Sequence, residues 1–312
     1  MTFNLMEIQQ EENELFLSDV SARDFRWDIH RLNLQQTKSF YQDSEFADYA
    51  TGMGRCAQVL RFKVVDGELH LDLAPFCRKR YCPICMWRKS LKWKAKAHQL
   101  MPLVLASFPS HRWVFLTLTI RNVSIEKLAK TVQKMNRAFS LMSRRRAWMP
   151  DGWIKSLEVT RSKDGSAHPH FHVLLMVPPD YFCGSGYLRQ SSWSELWKDC
   201  LGIDYTPIVD VRAIPVFQNP AVVIPEIFKY QTKAADFLRD RNWLLELTRQ
   251  MHQVKAVAVG GVLRSVLREL TQEPEDLIHS KDEENSDSLE DCPELYFRWL
   301  PQHKRYSAIE NE

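Results

Sequence analysis

The chain has 312 residues, 45% of them hydrophobic, and a formal net charge of +3. This length and composition are ordinary for a soluble protein that buries a core. No apolar run approaches the roughly 18 residues of a membrane span, and residues 1–15 lack the basic start and apolar block of a signal peptide, so we exclude a membrane partner and expect a cytoplasmic protein.

Charge is strongly segregated along the chain. Residues 1–25 carry a net charge of −5 and residues 273–294 carry −9, whereas residues 26–272 carry +16. A basic centre of this strength indicates a polyanion as the partner. Solvated helix faces are the alternative, but they would scatter the cations along the chain, and here the cations cluster.

A predicted hairpin opens the cysteine-rich part of the chain. Residues 58–65 and 68–74 have strand composition, and the intervening Asp66-Gly67 is typical of a two-residue hairpin turn. This turn fixes which residues pair across the two strands. When the pairing is extended to the ends of the hairpin, it brings Cys56 and Cys77 together.

A CxxC motif, Cys82 to Cys85, follows directly after this hairpin. It completes a four-thiolate set that suits structural Zn²⁺, with Cys56, Cys77, Cys82 and Cys85 as ligands. A redox pair is the alternative, but redox CxxC motifs lie at a strand-to-helix turn of a βαβ unit, which this segment does not show.

Basic residues cluster in two places. Residues 78–96 contain eight Lys or Arg and no acid, with Tyr81, Trp87 and Trp93 between them, and residues 144–146 are all Arg. Single-stranded nucleic acid is bound by cations that contact phosphates and rings that stack on bases. Each of these aromatic residues is alternatively a core residue. The predicted DNA-binding residues are Arg78, Lys79, Arg80, Arg88, Lys89, Lys92, Arg144, Arg145, Arg146 and Lys229.

The order of predicted elements after residue 112 indicates the fold class. In chain order, the patterns predict a strand at 113–120, a helix capped by Ser124 that runs to Met142, a hairpin of strands at 154–160 and 168–177, a helix at 191–201, a strand at 207–214, a helix from Pro225, and a largely helical segment at 242–270 interrupted by Gly260-Gly261. This β-α-β-β-α-β-α order predicts an α+β domain with a central antiparallel sheet and helices on one face.

The hairpin within this domain carries a candidate metal site. His168, His170 and His172 alternate along one strand, so their side chains share one face of the sheet. If the register is centred on Gly165, Glu158 lies directly across from His172 and adds a carboxylate ligand, although a one-residue slip would remove it. The alternative is a surface hairpin that is merely rich in histidine.

The predicted helix at Pro225 supplies a second set of reactive groups. Glu226, Tyr230 and Lys233 are spaced by four and three residues and therefore share one helix face. A tyrosine oxygen can bond covalently to phosphorus, and the positive charge of Lys233 favours the phenolate. Glu226 can take a proton from a second attacking group. An ordinary amphipathic helix surface is the alternative interpretation.

Three segments, Phe115–Thr119, His168–Leu175 and Lys229–Lys233, occur in this order. They resemble the three motifs of the replication initiator (Rep) proteins of small rolling-circle plasmids, which belong to the HUH endonuclease superfamily. The resemblance implies that His170 and His172 hold Mg²⁺ or Mn²⁺, with Phe171 as the hydrophobic residue between them. It further implies an RRM-like sheet.

The same resemblance assigns the nucleophile to Tyr230 and the activation of the terminating attack to Glu226. The enzyme would nick one origin strand by transesterification, form a 5′-phosphotyrosyl intermediate and a free 3′-OH primer, and later rejoin the strand. Single-stranded or hairpin origin DNA is the implied partner. Because the sequence shows no helicase P-loop, a host helicase is expected to unwind the DNA, and a host DNA polymerase to extend the primer.

Two other function classes remain open at this stage. One is another HUH enzyme, a transposase or mobilisation relaxase, which would join different DNA ends. The other is a noncatalytic zinc-bearing DNA-binding regulator in which the His strand is structural. A nicking assay separates the regulator from both enzymes.

The expected organisation has five segments. They are an N-terminal extension at 1–50, a Cys-rich basic zinc module at 51–100, an HUH endonuclease domain at 105–272, an acidic linker at 273–294 and a C-terminal tail at 295–312.

Overall fold

The computed structural model describes residues 14–228, 234–270 and 292–310. The chain divides into two units, one of residues 1–92 with 277–312 and the other of residues 93–276. Residues 273–291 of the predicted acidic linker lie outside the described residues, and the five-segment division stays a prediction. In the described part of the chain, no helix is both long and apolar enough to cross a membrane.

Helices and strands follow one another through both units. The helices within the described residues are α1 (Leu17–Val20), α2 (Phe25–Tyr41), α3 (Ala47–Arg55), α4 (Pro83–Ser107), α5 (Leu128–Met142), α6 (Gln190–Leu201), α7 (Ile224–Ile227), α8 (Ala234–Phe237), α9 (Arg241–Gln250) and α10 (Val262–Leu270). The strands are β1 (Val59–Val65), β2 (Glu68–Leu73), β3 (Arg112–Thr119), β4 (Gly152–Arg161), β5 (Ala167–Val177), β6 (Val209–Ile214), β7 (Val257–Gly261), β8 (Glu294–Leu300) and β9 (Arg305–Ile309).

The first unit contains a four-stranded antiparallel sheet with strand order β2-β1-β8-β9. The predicted two-residue turn is confirmed, because Val65 pairs with Glu68 across Asp66-Gly67, and both turn residues have positive φ. Strands β8 and β9 complete this sheet. The buried rings of Phe62 and Phe297 meet edge to face with centroids 5.8 Å apart. The C-terminal segment is therefore part of the core of this unit.

The second unit contains a five-stranded antiparallel sheet with strand order β6-β3-β5-β4-β7. Helices α5 and α6 pack on one face, where Phe171 contacts Phe139 and Trp197 at centroid distances of 6.1 and 6.3 Å. The predicted α+β class with a central antiparallel sheet is confirmed.

The opposite face of this sheet also carries helices, which the predicted one-sided arrangement does not include. The C-terminal half of α4, together with α7 and α10, packs there on a hydrophobic core that contains Leu100, Met101, Val104, Trp113, Phe115, Leu174, Met176, Ile224, Ile227 and Leu263. Leu174 and Met176 share a face of β5 with His170 and His172, because side chains alternate along a strand. The histidines therefore lie beside this core, farther along the same strand.

Strand β7 corrects the predicted helical segment at 242–270. That segment contains α9 and α10, but Val257–Gly261 pairs with β4 as the edge strand of the sheet. A Cβ on Gly260 would lie 2.2 Å from Cε2 of Trp153, and Gly261 has a φ of +61° beside the Asp151 carbonyl group. The two glycines allow this close approach of a strand end, and do not merely interrupt a helix as predicted.

Candidate active site and cysteine cluster

The β4–β5 hairpin places Glu158, His170 and His172 on one face of the sheet. Glu158 pairs directly with His170 rather than with His172, so the predicted register is wrong by two residues. The hairpin is centred on Asp164 and not on Gly165, because the turn closes one position earlier than predicted. A shift of two residues keeps every side chain on its face, and the predicted carboxylate still reaches the histidines.

The three side chains form a tight, buried group. The Oε2 atom of Glu158 lies 3.2 Å from His170 Nε2 and 3.0 Å from His172 Nε2, and the exposed fractions of these residues are 6%, 9% and 7%. Burial alone would raise the pKa of the Glu158 carboxyl group, but the hydrogen bonds from His170 and His172 hold this pKa well below its usual value. The carboxylate is therefore ionised at neutral pH.

Both rings are oriented through their Nδ1 atoms. His170 Nδ1 lies 3.3 Å from the backbone oxygen of His168, and His172 Nδ1 lies 3.3 Å from Thr117 Oγ1. The carbonyl oxygen of His168 can only accept, so His170 Nδ1 donates to it, whereas the Thr117 hydroxyl group can serve in either role toward His172. Without a cation the Nε2 atoms hydrogen-bond to Glu158, and a bound cation would meet their lone pairs instead. Two imidazole nitrogens and a carboxylate oxygen, all within 4.8 Å of one another, form a donor set that fits a divalent cation.

Thr117, within the Phe115–Thr119 segment, contributes to the site although it was not a predicted site residue. It lies directly across from His172 in the β3–β5 ladder, and Phe115, two residues earlier on the same face, stacks on the His172 ring with centroids 5.6 Å apart. The predicted strand at 113–120 gave the alternation of these two residues. It did not give the register between two strands that are separated by more than 40 residues, and this register decides which side chain meets His172.

His168 lies outside this group. It shares the face of His170, with ring centroids 5.2 Å apart, but its Nδ1 atom lies 2.7 Å from Asn122 Oδ1. The described cluster of candidate ligands contains Glu158 and the other two histidines only. His168 is therefore not part of the observed donor set, and its role as a metal ligand stays a prediction.

Helix α9 braces the turn of the hairpin. Arg161 pairs with Asp240 at 2.8 Å, and the indole Nε1 atom of Trp243 donates to the Gly165 carbonyl oxygen at 3.0 Å. Both contacts join the turn end of the β4–β5 hairpin, which carries the candidate ligands, to the beginning of α9.

The predicted nucleophile segment falls largely outside the described residues. Lys229, Tyr230 and Lys233 belong to residues 229–233, which lie between the described ranges. Glu226 is described and half-buried, in the short helix α7. Helix α7 spans Ile224–Ile227, and residues 229–233 of the predicted helix lie outside the described residues.

Helix α7 packs on the face of the sheet that bears the histidines. Ile224, Ile227 and Phe228 belong to the core with Leu174 of β5, and the Phe228 ring stacks on Trp93 with centroids 5.6 Å apart. The chain therefore enters the tyrosine segment from the same face that carries Glu158 and the two histidines.

The four predicted zinc ligands converge in the first unit. Sγ of Cys56 lies 3.6 Å from Sγ of both Cys82 and Cys85, and Sγ of Cys77 lies 3.7 Å from Sγ of Cys85. These distances are too long for disulfides, which need about 2.05 Å. They match the roughly 3.8 Å ligand separation of a tetrahedral Zn²⁺–thiolate site with Zn–S bonds near 2.3 Å.

The surroundings of the cluster fit a bound cation. Burial raises the pKa of the Cys82 thiol, and the neighbouring thiols raise it further. Four thiolates therefore coexist at neutral pH only when a positive charge lies between them. The buried side chain of Arg31 from α2 donates to the carbonyl oxygens of Cys56 and Gly54 and holds the loop that carries the first ligand.

The predicted DNA-binding cations differ in their exposure and in their contacts. Arg88 is a correction, because it is only 6% exposed and its guanidinium group lies over the rings of Trp27 and Trp87, 5.5 and 5.7 Å from their centroids. Its contacts with the core exclude a surface contact with phosphate. Lys79 forms an ion pair with Asp48 at 2.6 Å.

Two of the interleaved aromatic residues are core residues. Tyr81 and Trp87 are 1% and 7% exposed, which excludes them from stacking on bases. Arg144, Arg145 and Arg146 are exposed beyond the end of α5, where phosphate contacts are sterically possible. The roles of Arg78, Arg80, Lys89 and Lys92 stay predictions.

The family model and the similar proteins both indicate a replication protein. A family model described as replication protein, Rep_1, matches residues 68–307. The chain is 32% identical to "Protein rep" of Lactiplantibacillus plantarum over 263 residues, which cover 78% of this chain and 83% of that protein. It is 31% identical to "Protein rep" of Bacillus amyloliquefaciens over 324 aligned positions, covering 91% and 93% of the two chains. No solved structure matches the chain significantly.

Proposed function

The chain belongs to this replication protein (Rep) family, which confirms the resemblance drawn from the three motifs, and on this premise we propose that it initiates rolling-circle replication of a plasmid by nicking one origin strand. Membership supports a plasmid replication initiator that binds origin DNA. The nicking chemistry is our inference from the site. The observation on which it depends is the grouping of Glu158, His170 and His172 on the face of the sheet against which α7 packs, shortly before Tyr230 in the sequence.

Tyr230 performs the first transfer in this mechanism. Its phenolic oxygen attacks the scissile phosphorus and loses its proton, the bond from phosphorus to the 3′ oxygen breaks, and the departing oxygen gains a proton. The products are a 5′-phosphotyrosyl link and a free 3′-OH. Lys233, one turn away in the predicted helix, favours the phenolate form of Tyr230 through its positive charge.

Glu226 acts in the second transfer. It accepts a proton from water or from the 3′-hydroxyl group of the newly made strand as that oxygen attacks the phosphotyrosyl phosphorus. The bond from phosphorus to the tyrosine oxygen then breaks, and that oxygen regains a proton from solvent, which restores Tyr230.

Glu158, His170 and His172 fit Mg²⁺ or Mn²⁺, with His168 as a further predicted ligand. Such a cation, when bound, polarises the scissile phosphate and offsets its developing charge. The backbone oxygen of His168 requires a donating Nδ1 on His170, and the Thr117 hydroxyl group orients the ring of His172. Cys56, Cys77, Cys82 and Cys85 suit Zn²⁺ in a structural role.

The proposal also specifies partners. A free 3′-OH is a primer, so a host DNA polymerase extends it, and a host helicase separates the strands because the sequence shows no P-loop. The DNA that reaches Tyr230 must be single-stranded, or must be presented by an extruded hairpin, since a stacked and paired strand is not accessible to this attack.

The deciding experiment incubates the whole protein with a labelled single-stranded origin oligonucleotide and Mn²⁺. We expect a covalent protein–DNA adduct that survives denaturing electrophoresis and is absent when EDTA is added first. Binding of the oligonucleotide without any adduct would favour the noncatalytic regulator and contradict the proposal.

Glu226→Ala is expected to separate the two transfers. Because its role is proton abstraction in the second transfer, this variant should form the adduct at a near-normal rate and release it about 10²-fold to 10⁴-fold more slowly. Adduct formation and decay are followed separately by quenching at successive times. Loss of the first cleavage would reassign Glu226 to the metal site or to activation of Tyr230.

Cys82→Ser is expected to release about one Zn²⁺ per chain and to destabilise residues 50–92, because the free energy of zinc binding is also folding free energy. Elemental analysis measures the metal, and hydrogen exchange measures local stability. Cys183→Ser is the matched control, since Cys183 is exposed and lies outside the cluster. A well-folded wild-type protein without zinc would contradict the assignment.

A further inference from the structure

A basic groove lies on the face of the five-stranded sheet that is opposite to the histidines. It has a volume of about 790 Å³, and α5 forms one wall while the segment from residue 250 to residue 258 forms the other. Leu157 and Phe171 form its floor, and they alternate along β4 and β5 with Glu158 and His170. The groove is therefore separated from the candidate active site by the thickness of the sheet.

The lining of this groove is cationic. The described residues that line it include no Asp or Glu, and their basic side chains are Lys130, Arg137, Arg144, Lys155 and Lys255. Among the ion pairs within the described residues, none involves these five cations. A concave surface with several cations and no anion attracts an anionic ligand, because low-dielectric walls strengthen the field inside it.

Lys155 distinguishes this groove from an ordinary basic surface. It is 8% exposed, its Nζ atom donates to Asn136 Oδ1 at 2.7 Å, and it lies 4.0 Å from the ring centroid of Phe171 and 4.6 Å from that of Phe139. Burial lowers the pKa of Lys155 to about 8. A buried ammonium group without a carboxylate is unfavourable for stability, and an anionic ligand would remove that penalty.

The spacing of the cations indicates an extended ligand. Lys130 and Arg137 are seven residues apart on one face of α5, which separates them by about 10.5 Å along the helix axis. Arg144, a further seven residues along the chain, is anchored by a hydrogen bond of 2.9 Å from its Nε atom to the Ser140 carbonyl oxygen. One phosphate ion cannot contact cations so far apart, whereas successive phosphates of a strand can.

We propose that this groove binds the phosphodiester backbone of single-stranded DNA, on the face of the sheet opposite to the Glu158–His170–His172 group. Single-stranded DNA is the expected occupant, because the proposed nicking acts on an unpaired origin strand. The proposal extends the proposed function, because it supplies a second contact for a strand that flanks the nick.

The test compares two triple variants with equal changes in charge. Lys130→Gln/Arg137→Gln/Lys255→Gln removes exposed cations of the groove, and the matched control Lys127→Gln/Lys134→Gln/Arg268→Gln removes exposed cations that do not line it. The affinity of the whole protein for a thymidylate oligonucleotide is measured as a function of salt concentration by fluorescence anisotropy.

We expect the groove variant to lose about tenfold or more in affinity and to lower the slope of log K against log salt concentration by about 2, since each lost contact with single-stranded DNA lowers it by about 0.7. The control should change both values much less. Equal losses in the two variants would overturn the proposal. An equal loss for duplex DNA, or displacement of the oligonucleotide by inorganic triphosphate at equal phosphate concentration, would overturn the assignment to a single strand.

Lys155→Met distinguishes a role in DNA binding from a purely structural role. This variant should raise the melting temperature, because it removes a buried charge, and it should still weaken binding of the oligonucleotide. Unchanged binding would overturn the role of Lys155. Adduct formation on a short origin oligonucleotide is measured in parallel. If the wild-type protein forms no adduct, the proposed nicking fails, and the salt dependence still decides the groove.

Discussion

Tyr230→Phe is expected to lower the rate of covalent adduct formation with origin DNA by at least about 10⁴-fold, because it removes the oxygen that bonds to phosphorus. The substitution removes only the hydroxyl group, so the fold and the affinity for DNA should change little. Denaturing electrophoresis of the labelled adduct measures the rate, and anisotropy under non-cleaving conditions with EDTA measures the affinity.

Two other tyrosines provide matched controls for this variant. The hydroxyl group of Tyr205 accepts a hydrogen bond from the Arg121 backbone N–H at 3.0 Å, and the Tyr187 ring is exposed. We expect Tyr205→Phe and Tyr187→Phe to form the adduct at rates close to that of the wild-type protein. An undiminished adduct in Tyr230→Phe would exclude Tyr230, and mapping of the adducted peptide would then identify the nucleophile.

Alternation along the strands correctly predicted which side chains share the face of the candidate active site, but it did not predict which residues pair across the hairpin. The two-residue period placed Glu158, His170 and His172 on one face regardless of the turn. The turn itself was wrongly centred on Gly165, because a polar six-residue connection allows several closures. The error was an even number of residues, and for this reason the predicted face survived while the predicted pairing did not.

The cysteine hairpin shows the opposite case, in which a short turn fixes register locally. Asp66-Gly67 determines the pairing of the residues beside it, and the pairing holds until it shifts between Arg61 and Phe62. Local sequence does not determine what lies on the other side of β1. Strand β8 pairs there from more than 230 residues away, and such a contact depends on the whole fold.

Local sequence patterns also did not predict the burial of Trp87 and Arg88 in the basic segment. The spacing of Trp87 and Arg88 is compatible with a surface that stacks on bases, and the sequence favoured that interpretation. In the structure, both residues pack against Trp27 from α2, about 60 residues earlier. Only tertiary packing distinguishes an aromatic residue that binds a ligand from one that fills a core.

The second large effect is expected at the Glu158–His170–His172 group. His170→Ala and His172→Ala should each lower the rate of nicking of supercoiled origin plasmid by about 10²-fold to 10⁴-fold, because each removes a nitrogen ligand and the charge stabilisation that the cation supplies. Affinity for DNA should remain largely intact, since most of it comes from contacts with phosphates elsewhere. His111→Ala is the matched control, because His111 contacts Asp151 and lies outside the group.

Glu158→Gln tests the charge of this group without changing its shape. The amide can still bond to one imidazole, so folding should be preserved, but the site loses its only negative charge among the described candidate ligands. We expect Mn²⁺ affinity, measured by calorimetry, to fall at least about tenfold, which corresponds to about 1.4 kcal/mol of binding free energy. Nicking should be partly restored at high Mn²⁺ concentration in this variant, but not in His172→Ala. An unchanged Mn²⁺ titration would show that the carboxylate orients the histidines without binding the metal ion.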